Sequence, residues 1–261
     1  MSYEHLDITI ADGIATVTMN RPDVLNGLHP PAHHEMERVW GDLGENDDVR
    51  VAILTGAGKA FSSGGDLNDM QERLAADPTG GSGISAASGR RIIYGLLDFE
   101  KPLIAAVNGH AVGLGATLAL LCDVVIASDK ARIGDPHISI GLVPGDGGLA
   151  VWTMLAGPNR AKEYMMLGTL ATAEEAHRLG LLNHVVEPEG VMAAAQAIAE
   201  RLAKGPQVAL QGTKISINNW IKAQFSSLFE VGLAAELRSM ASLDYAEGVQ
   251  AAIEKRPPNF T

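Results

Sequence analysis

Residues 108–123 read NGHAVGLGATLALLCD, and they follow the apolar run LIAAV at 103–107. The chain here passes from a buried strand through a glycine turn into a helix expected over 113–121. The first N–H groups of a helix have no intrahelical acceptor, and the helix dipole favours negative charge beside them. Residues 56–67, GAGKAFSSGGDL, repeat the arrangement between a short buried strand at 51–55 and a helix expected over 66–74. Taken singly, each stretch reads as a packing turn or a phosphate loop. Facing each other, the two turns make an oxyanion hole from main chain alone. Neither fits a nucleotide pattern, since no GKS/T follows Gly56 and no GxGxxG opens a βαβ unit.

Outward from these turns, residues 6–10 and 14–19 alternate as strands around Asp12-Gly13, a strong hairpin signal. A helix is expected at 31–44, and strands at 124–127 and 131–133. Buried strands alternating with helices predict an α/β layout with parallel pairing. Beyond Arg160 the chain reads as mostly helical, with one strand near 183–187 and long helical stretches over 206–242. The run AKGP at 203–206 is the expected joint between a core, 1–203, and a C-terminal helical region, 204–261. Residues 77–89, DPTGGSGISAASG, read as the one flexible loop.

Composition narrows the classes. A chain of 261 residues with 46% hydrophobic and 20% charged residues buries a sizeable core. A net charge of −11 argues against a nucleic-acid partner. The single cysteine, Cys122, excludes an internal disulfide and a Cys-rich metal site, and suits a reducing cytoplasm. The opening MSYEHLDITI runs straight into strand sequence, so no leader is expected. The longest apolar run, 111–127, is interrupted by Gly113, Gly115 and Asp123, and no membrane span is expected.

Five ordered blocks carry a family resemblance: NRPDVLNGL (20–28), GAGKAFSSGGDLNDM (56–70), KPLIAAVNGHAVGLG (101–115), CDVVIAS (122–128) and GLVPGDGG (141–148), with the ending EGVQAAIEKRPPNF (247–260). Together they resemble the enoyl-CoA hydratase/isomerase (crotonase) superfamily over essentially the whole chain. The resemblance implies a spiral of ββα units with a C-terminal helical region that forms trimers, often paired into hexamers. It also implies an acyl-CoA substrate, with coenzyme A as part of that substrate and no permanent cofactor. The thioester oxygen would sit between the backbone N–H groups of Gly65 and Leu114. Ser63, Gly64, Asp66 and Leu67 would line the CoA, with Lys59, Lys255 and Phe260 as further contacts. For the lysines, the plain alternative is solvated surface charge.

Opposite the hole the chain departs from the hydratase pattern. The two glutamates expected there are replaced by Thr117 and His137, which removes the usual way of delivering water. Asp146, in PGDGG, stands where some family isomerases carry a single proton-shuttling carboxylate; its plain alternative is a helix cap. His137 and Asp146 also match the spacing of the His/Asp pair in the superfamily's β-diketone hydrolases. A histidine with a carboxylate partner is a competent base near neutral pH. Three readings remain open: a hydratase or isomerase using Asp146, a carbon–carbon hydrolase using His137 with Asp146, and a non-catalytic acyl-CoA binder. His29, His33 and His34 are expected at the surface, and His110 in a packing or supporting role. Cys122 is expected in the core and Asp123 at a turn. No metal is expected, because no His, Asp and Glu cluster has ligand spacing.

Overall fold

The computed structural model describes residues 2–77 and 86–261. Asp12 and Gly13 both take positive φ, 52° and 80°, as the two central residues of a type I′ hairpin turn require. They join β1 (Leu6–Ala11) to β2 (Ile14–Met19), with Leu6 opposite Met19. Four strands then add in parallel: β3 (Val51–Gly56), β5 (Leu103–Val107), β7 (Val124–Ser128) and β10 (His184–Val186), giving the order β1-β2-β3-β5-β7-β10. A smaller sheet holds β4 (Ala60–Ser62), β6 (His110–Val112), β8 (Arg132–Gly134) and β9 (Ala171–Thr172) in that order.

The helices are α1 (Pro30–Gly44), α2 (Leu67–Ala76), α3 (Ala86–Asp98), α4 (Leu114–Leu120) and α5 (Gly148–Ala156). They continue with α6 (Pro158–Leu167), α7 (Ala173–Arg178), α8 (Val191–Ala203), α9 (Gln207–Met240) and α10 (Leu243–Glu254). Each of β3, β5 and β7 is followed by a strand of the smaller sheet and then by helix. This repeated ββα unit matches the spiral that the family resemblance implies. It delivers each glycine turn from the smaller sheet onto a helix N-terminus.

β3 and β5 are buried along their whole length, because both faces of the larger sheet are covered. Their side chains alternate between two cores, as a period of two dictates. Ala52, Leu54, Leu103 and Ala105 face the main core with Met36, Trp40 and Leu96. Val51, Ile53, Ile104 and Ala106 face Val191, Ala195, Ala199 and Ala203, which lie four residues apart along α8.

Helix α9 runs unbroken from Gln207, and a single stripe holds it to the core. Lys214 Nζ pairs with Asp123 at 2.9 Å, Asn218 donates to the Leu97 carbonyl at 2.9 Å, and Phe225 and Phe229 are buried. Farther along, the Glu236 Cβ packs so closely on Gly145 that a Cβ there would lie 2.7 Å away. The Val143 N–H donates to Ser239 Oγ at 3.1 Å. The C-terminal helix therefore fastens the PGDGG turn.

Several expectations change. Residues 86–89 open α3 rather than extending a loop, and 78–85 lie outside the described residues. The short strands β4, β6 and β9 were not anticipated. His33 is buried, not on the surface, and His29 is half-buried, while His34 is exposed as expected. Among the described residues no helix is long and apolar enough to cross a membrane.

Candidate active site

Hydrogen bonds shape the first turn around Gly65 without using its N–H. Gly64 N–H donates to Ser62 Oγ (3.1 Å), Leu28 N–H to the Gly64 carbonyl (2.7 Å) and Asp66 N–H to the Leu28 carbonyl (3.2 Å). In the second turn Gly113 N–H donates to the Gly134 carbonyl (2.9 Å), and the Gly113 carbonyl accepts from Thr117 N–H (3.0 Å). Leu114 is the first residue of α4, so its N–H has no intrahelical acceptor. Among the described residues neither the Gly65 nor the Leu114 N–H has a partner.

The two turns touch. A Cβ on Gly64, whose φ is +81°, would lie 3.4 Å from Leu114 N. Gly113 (φ 54°, ψ −128°) adopts a conformation closed to side chains, and a Cβ there would lie 3.2 Å from the His137 ring. Gly65, Leu114, His137 and Asp146 thus line one cavity of about 60 Å³, with Glu236 and His33 also in its wall.

His137 opens a 3-10 turn after β8, two residues past Asp135. Its Nδ1 is held by Asp135 Oδ1, and its Nε2 lies 3.7 Å from Asp146 Oδ2. Asp135 is buried, and its second oxygen packs on Gly148 at the positive end of α5. Burial opposes a cation on His137, but the adjacent carboxyls of Asp135 and Asp146 outweigh it and push the ring up to about 10. Burial pushes the Asp146 carboxyl up to about 6, against the pull of the His137 cation. Glu236 is raised to about 8 by burial and by the neighbouring Asp146. These directions favour a cationic His137 beside acidic groups, Asp146 and Glu236, that burial makes reluctant to ionise.

Asp146 does not cap α5. Gly147 is the cap, with no side-chain bond to the helix. Thr117 is buried beneath Gly147 and outside the cavity wall. Asp135, His137 and Asp146 bring three ligand-type atoms within 4.8 Å of one another, a gathering their sequence spacing did not announce. The flanking carboxyls favour a cation on His137 within that group, and its Nδ1 is engaged by Asp135.

The expected CoA contacts lie outside the cavity wall. Asp66 caps α2 through Asn68 N–H (3.0 Å) and pairs with Arg21 (2.9 Å), so its carboxylate is committed to the turn. Ser63 and Gly64 flank that turn; Leu67 and Lys59 are exposed beside it. Lys255 ends α10 in a left-handed conformation, and Phe260 is exposed in the tail. His110 Nδ1 accepts from Arg132 N–H (3.1 Å), tying β6 to β8, and the Cys122 thiol is buried against the Leu118 carbonyl.

The sequence model of the family described as enoyl-CoA hydratase/isomerase matches residues 9–261. The chain belongs to this family. It is 36% identical over 244 residues to the short-chain-enoyl-CoA hydratase of Clostridium acetobutylicum, covering 93% of this chain and 92% of that one. It is also 36% identical to the 1,2-epoxyphenylacetyl-CoA isomerase of Escherichia coli, covering 97% and 96%. The crystal structure of an enoyl-CoA hydratase from Mycobacterium avium subsp. paratuberculosis superposes over 100% of both chains, with a TM-score of 0.89 at 30% identity. Homologues thus include hydratases and isomerases acting on acyl-CoA, and this member of the enoyl-CoA hydratase/isomerase family is an enzyme of that kind. Three residues of its site were missed in the sequence: Asp135, Glu236 and His33. Asp135 stands two residues before His137, a readable spacing; Glu236 lies ninety residues beyond Asp146 and has no local signal.

Proposed function

We propose that the protein binds an acyl-CoA thioester with its carbonyl oxygen between the Gly65 and Leu114 N–H groups. Asp146 then takes a proton from one carbon of the acyl group and returns it to another, isomerising a double bond. Polarising the carbonyl acidifies the α-carbon, and an enolate is stabilised by the same two donors. The observation that carries this reading is the Asp146 carboxyl, 3.7 Å from His137 Nε2, in the wall of the cavity that Gly65 and Leu114 also line. A shuttle needs one group that alternates between acid and base, and a carboxyl raised to about 6 suits that near neutral pH. Thr117 and His137 leave no glutamate pair to deliver water. The adenine end of CoA would run over Ser63, Leu67 and Lys59, with Lys255 and Phe260 from the tail. Exposed Val208, Ile217, Trp220 and Val231 on α9 support the trimer that the family resemblance implies.

A second reading, carbon–carbon hydrolysis of a β-diketone, draws on the Asp135–His137–Asp146 alignment. It needs a group that deprotonates water, and the two carboxyls that favour a cation on His137 work against that role for the ring. The test is turnover of a 3-enoyl-CoA, crotonyl-CoA and a cyclic β-diketone, with α-proton exchange followed in D2O. Isomerisation of the 3-enoyl-CoA with exchange is expected; diketone cleavage without thioester turnover would overturn the proposal.

Asp135 acts through His137, and Asp135→Asn tests it. The amide no longer stabilises the imidazolium, so the ring titrates nearer its ordinary range. A kcat loss of about 10–100-fold is expected, with a fall in rate on the alkaline side that sets in at lower pH than in the wild type, because the ring loses its proton earlier. An unchanged profile would remove Asp135 from this role.

A further inference from the structure

His33 is one of three polar groups in the cavity wall, with Glu236 and Arg73, that the proposed chemistry leaves unused. It sits in the first turns of α1, is 5% exposed, and lines the same cavity as Gly65 and Leu114. Neither ring nitrogen has a hydrogen-bond partner among the described residues. Burial, with the nearby Arg73 and His29, outweighs Glu37 and pushes the ring down to about 4, so it is neutral. Arg73, also in the wall, is held by Asp69 at 2.8 Å.

A neutral imidazole offers one N–H donor and one lone-pair acceptor. A buried polar atom without a partner is costly, so a pocket that keeps one is suited to a ligand that supplies the partner. Apart from His137, Asp146, Glu236 and the ion-paired Arg73, the rest of this wall is apolar, with Met70, Leu142, Leu233 and Met240. A plain hydrocarbon acyl chain would bury the ring unsatisfied. A hydroxyl both donates and accepts, and so can partner either ring nitrogen.

We infer that His33 is a specificity residue, and that the enzyme takes acyl thioesters carrying a hydroxyl beyond the β-carbon, bound to this ring. The inference rests on the proposed thioester site, because His137 and Asp146 occupy the side where the reacting carbons lie.

Binding measurements separate it from the chemistry. Saturated thioesters that cannot isomerise are titrated calorimetrically in matched pairs: butanoyl-CoA against 4-hydroxybutanoyl-CoA, and pentanoyl-CoA against 5-hydroxypentanoyl-CoA. The wild type is expected to bind one hydroxylated member at least about tenfold tighter than its partner, and His33→Leu to bring that ratio within about twofold. Equal affinities in both pairs would overturn the inference, showing that water meets the ring, and would leave the thioester reading intact. A preference that persists in His33→Leu would also overturn the assignment. If His33→Leu does not fold, His33→Gln replaces it and is expected to keep part of the preference. Failure of every thioester to bind would overturn both the inference and the proposed function.

Discussion

Asp146→Asn is expected to lower kcat for isomerisation by about 10²–10⁴-fold, the range a positioned general acid–base contributes. The amide is nearly isosteric, so thioester affinity should stay within about threefold. What the substitution removes is the capacity to hold a proton between two carbons. The pH dependence follows from the same group. Asp146 accepts a proton only when ionised, and burial holds its carboxyl up to about 6. The wild-type rate should therefore fall as pH drops through about 6, because the protonated form cannot serve as base. His137, held up by its carboxyl neighbours, stays cationic through this window and adds no transition there. In Asp146→Asn the acidic limb should disappear along with the rate. Steady-state kinetics from pH 5 to 9 checks both points, and an Asp146→Asn enzyme with unchanged kcat would remove this carboxylate from the mechanism.

How much of this was legible in the sequence depended on range. The long β-branched runs at β3, β5 and β7 announce themselves, because a strand buried on both faces is apolar throughout. The smaller sheet does not. β4 and β6 have three residues each, with serine, histidine and glycine in and around them, and they exist only through pairing, β4 with β6 and β6 in turn with β8. Helix α3 was obscured by the Gly- and Ser-rich stretch at its start.

The site divides the same way. Gly65 and Leu114 follow from turns, which are local. His33 was readable after all: Met36, Trp40 and Leu43 share its helical phase, while His34, one step round, is exposed. Glu236 was not readable. In VGLAAELRSM it looks like a residue on a solvated helix face, and only the approach of α9 to Gly145 buries it beside Asp146.

Leu114→Pro tests the hole as a property of the backbone. Leu114 is the first residue of α4, the helical position where proline is best tolerated, since no intrahelical bond is lost. The preceding Gly113, at ψ −128°, lies outside the α region that a following proline disfavours. The substitution therefore deletes one oxyanion donor without the loss of an intrahelical bond, and its ring Cδ takes the place of the N–H hydrogen. Losing one such donor costs about 10²–10³-fold in kcat. The Leu114 side chain is buried in the cavity wall, so its removal has effects of its own. Leu114→Ala isolates them, because it removes most of the side chain and keeps the N–H. The expected result is an alanine variant within about tenfold of wild type and a proline variant at least about tenfold below the alanine variant. α-Proton exchange should fall in the proline variant by the same factor as turnover, since both pass through the enolate. Equal rates in the two variants would mean that the Leu114 N–H does not hold the developing oxyanion, and the hole would have to be sought elsewhere in the turn.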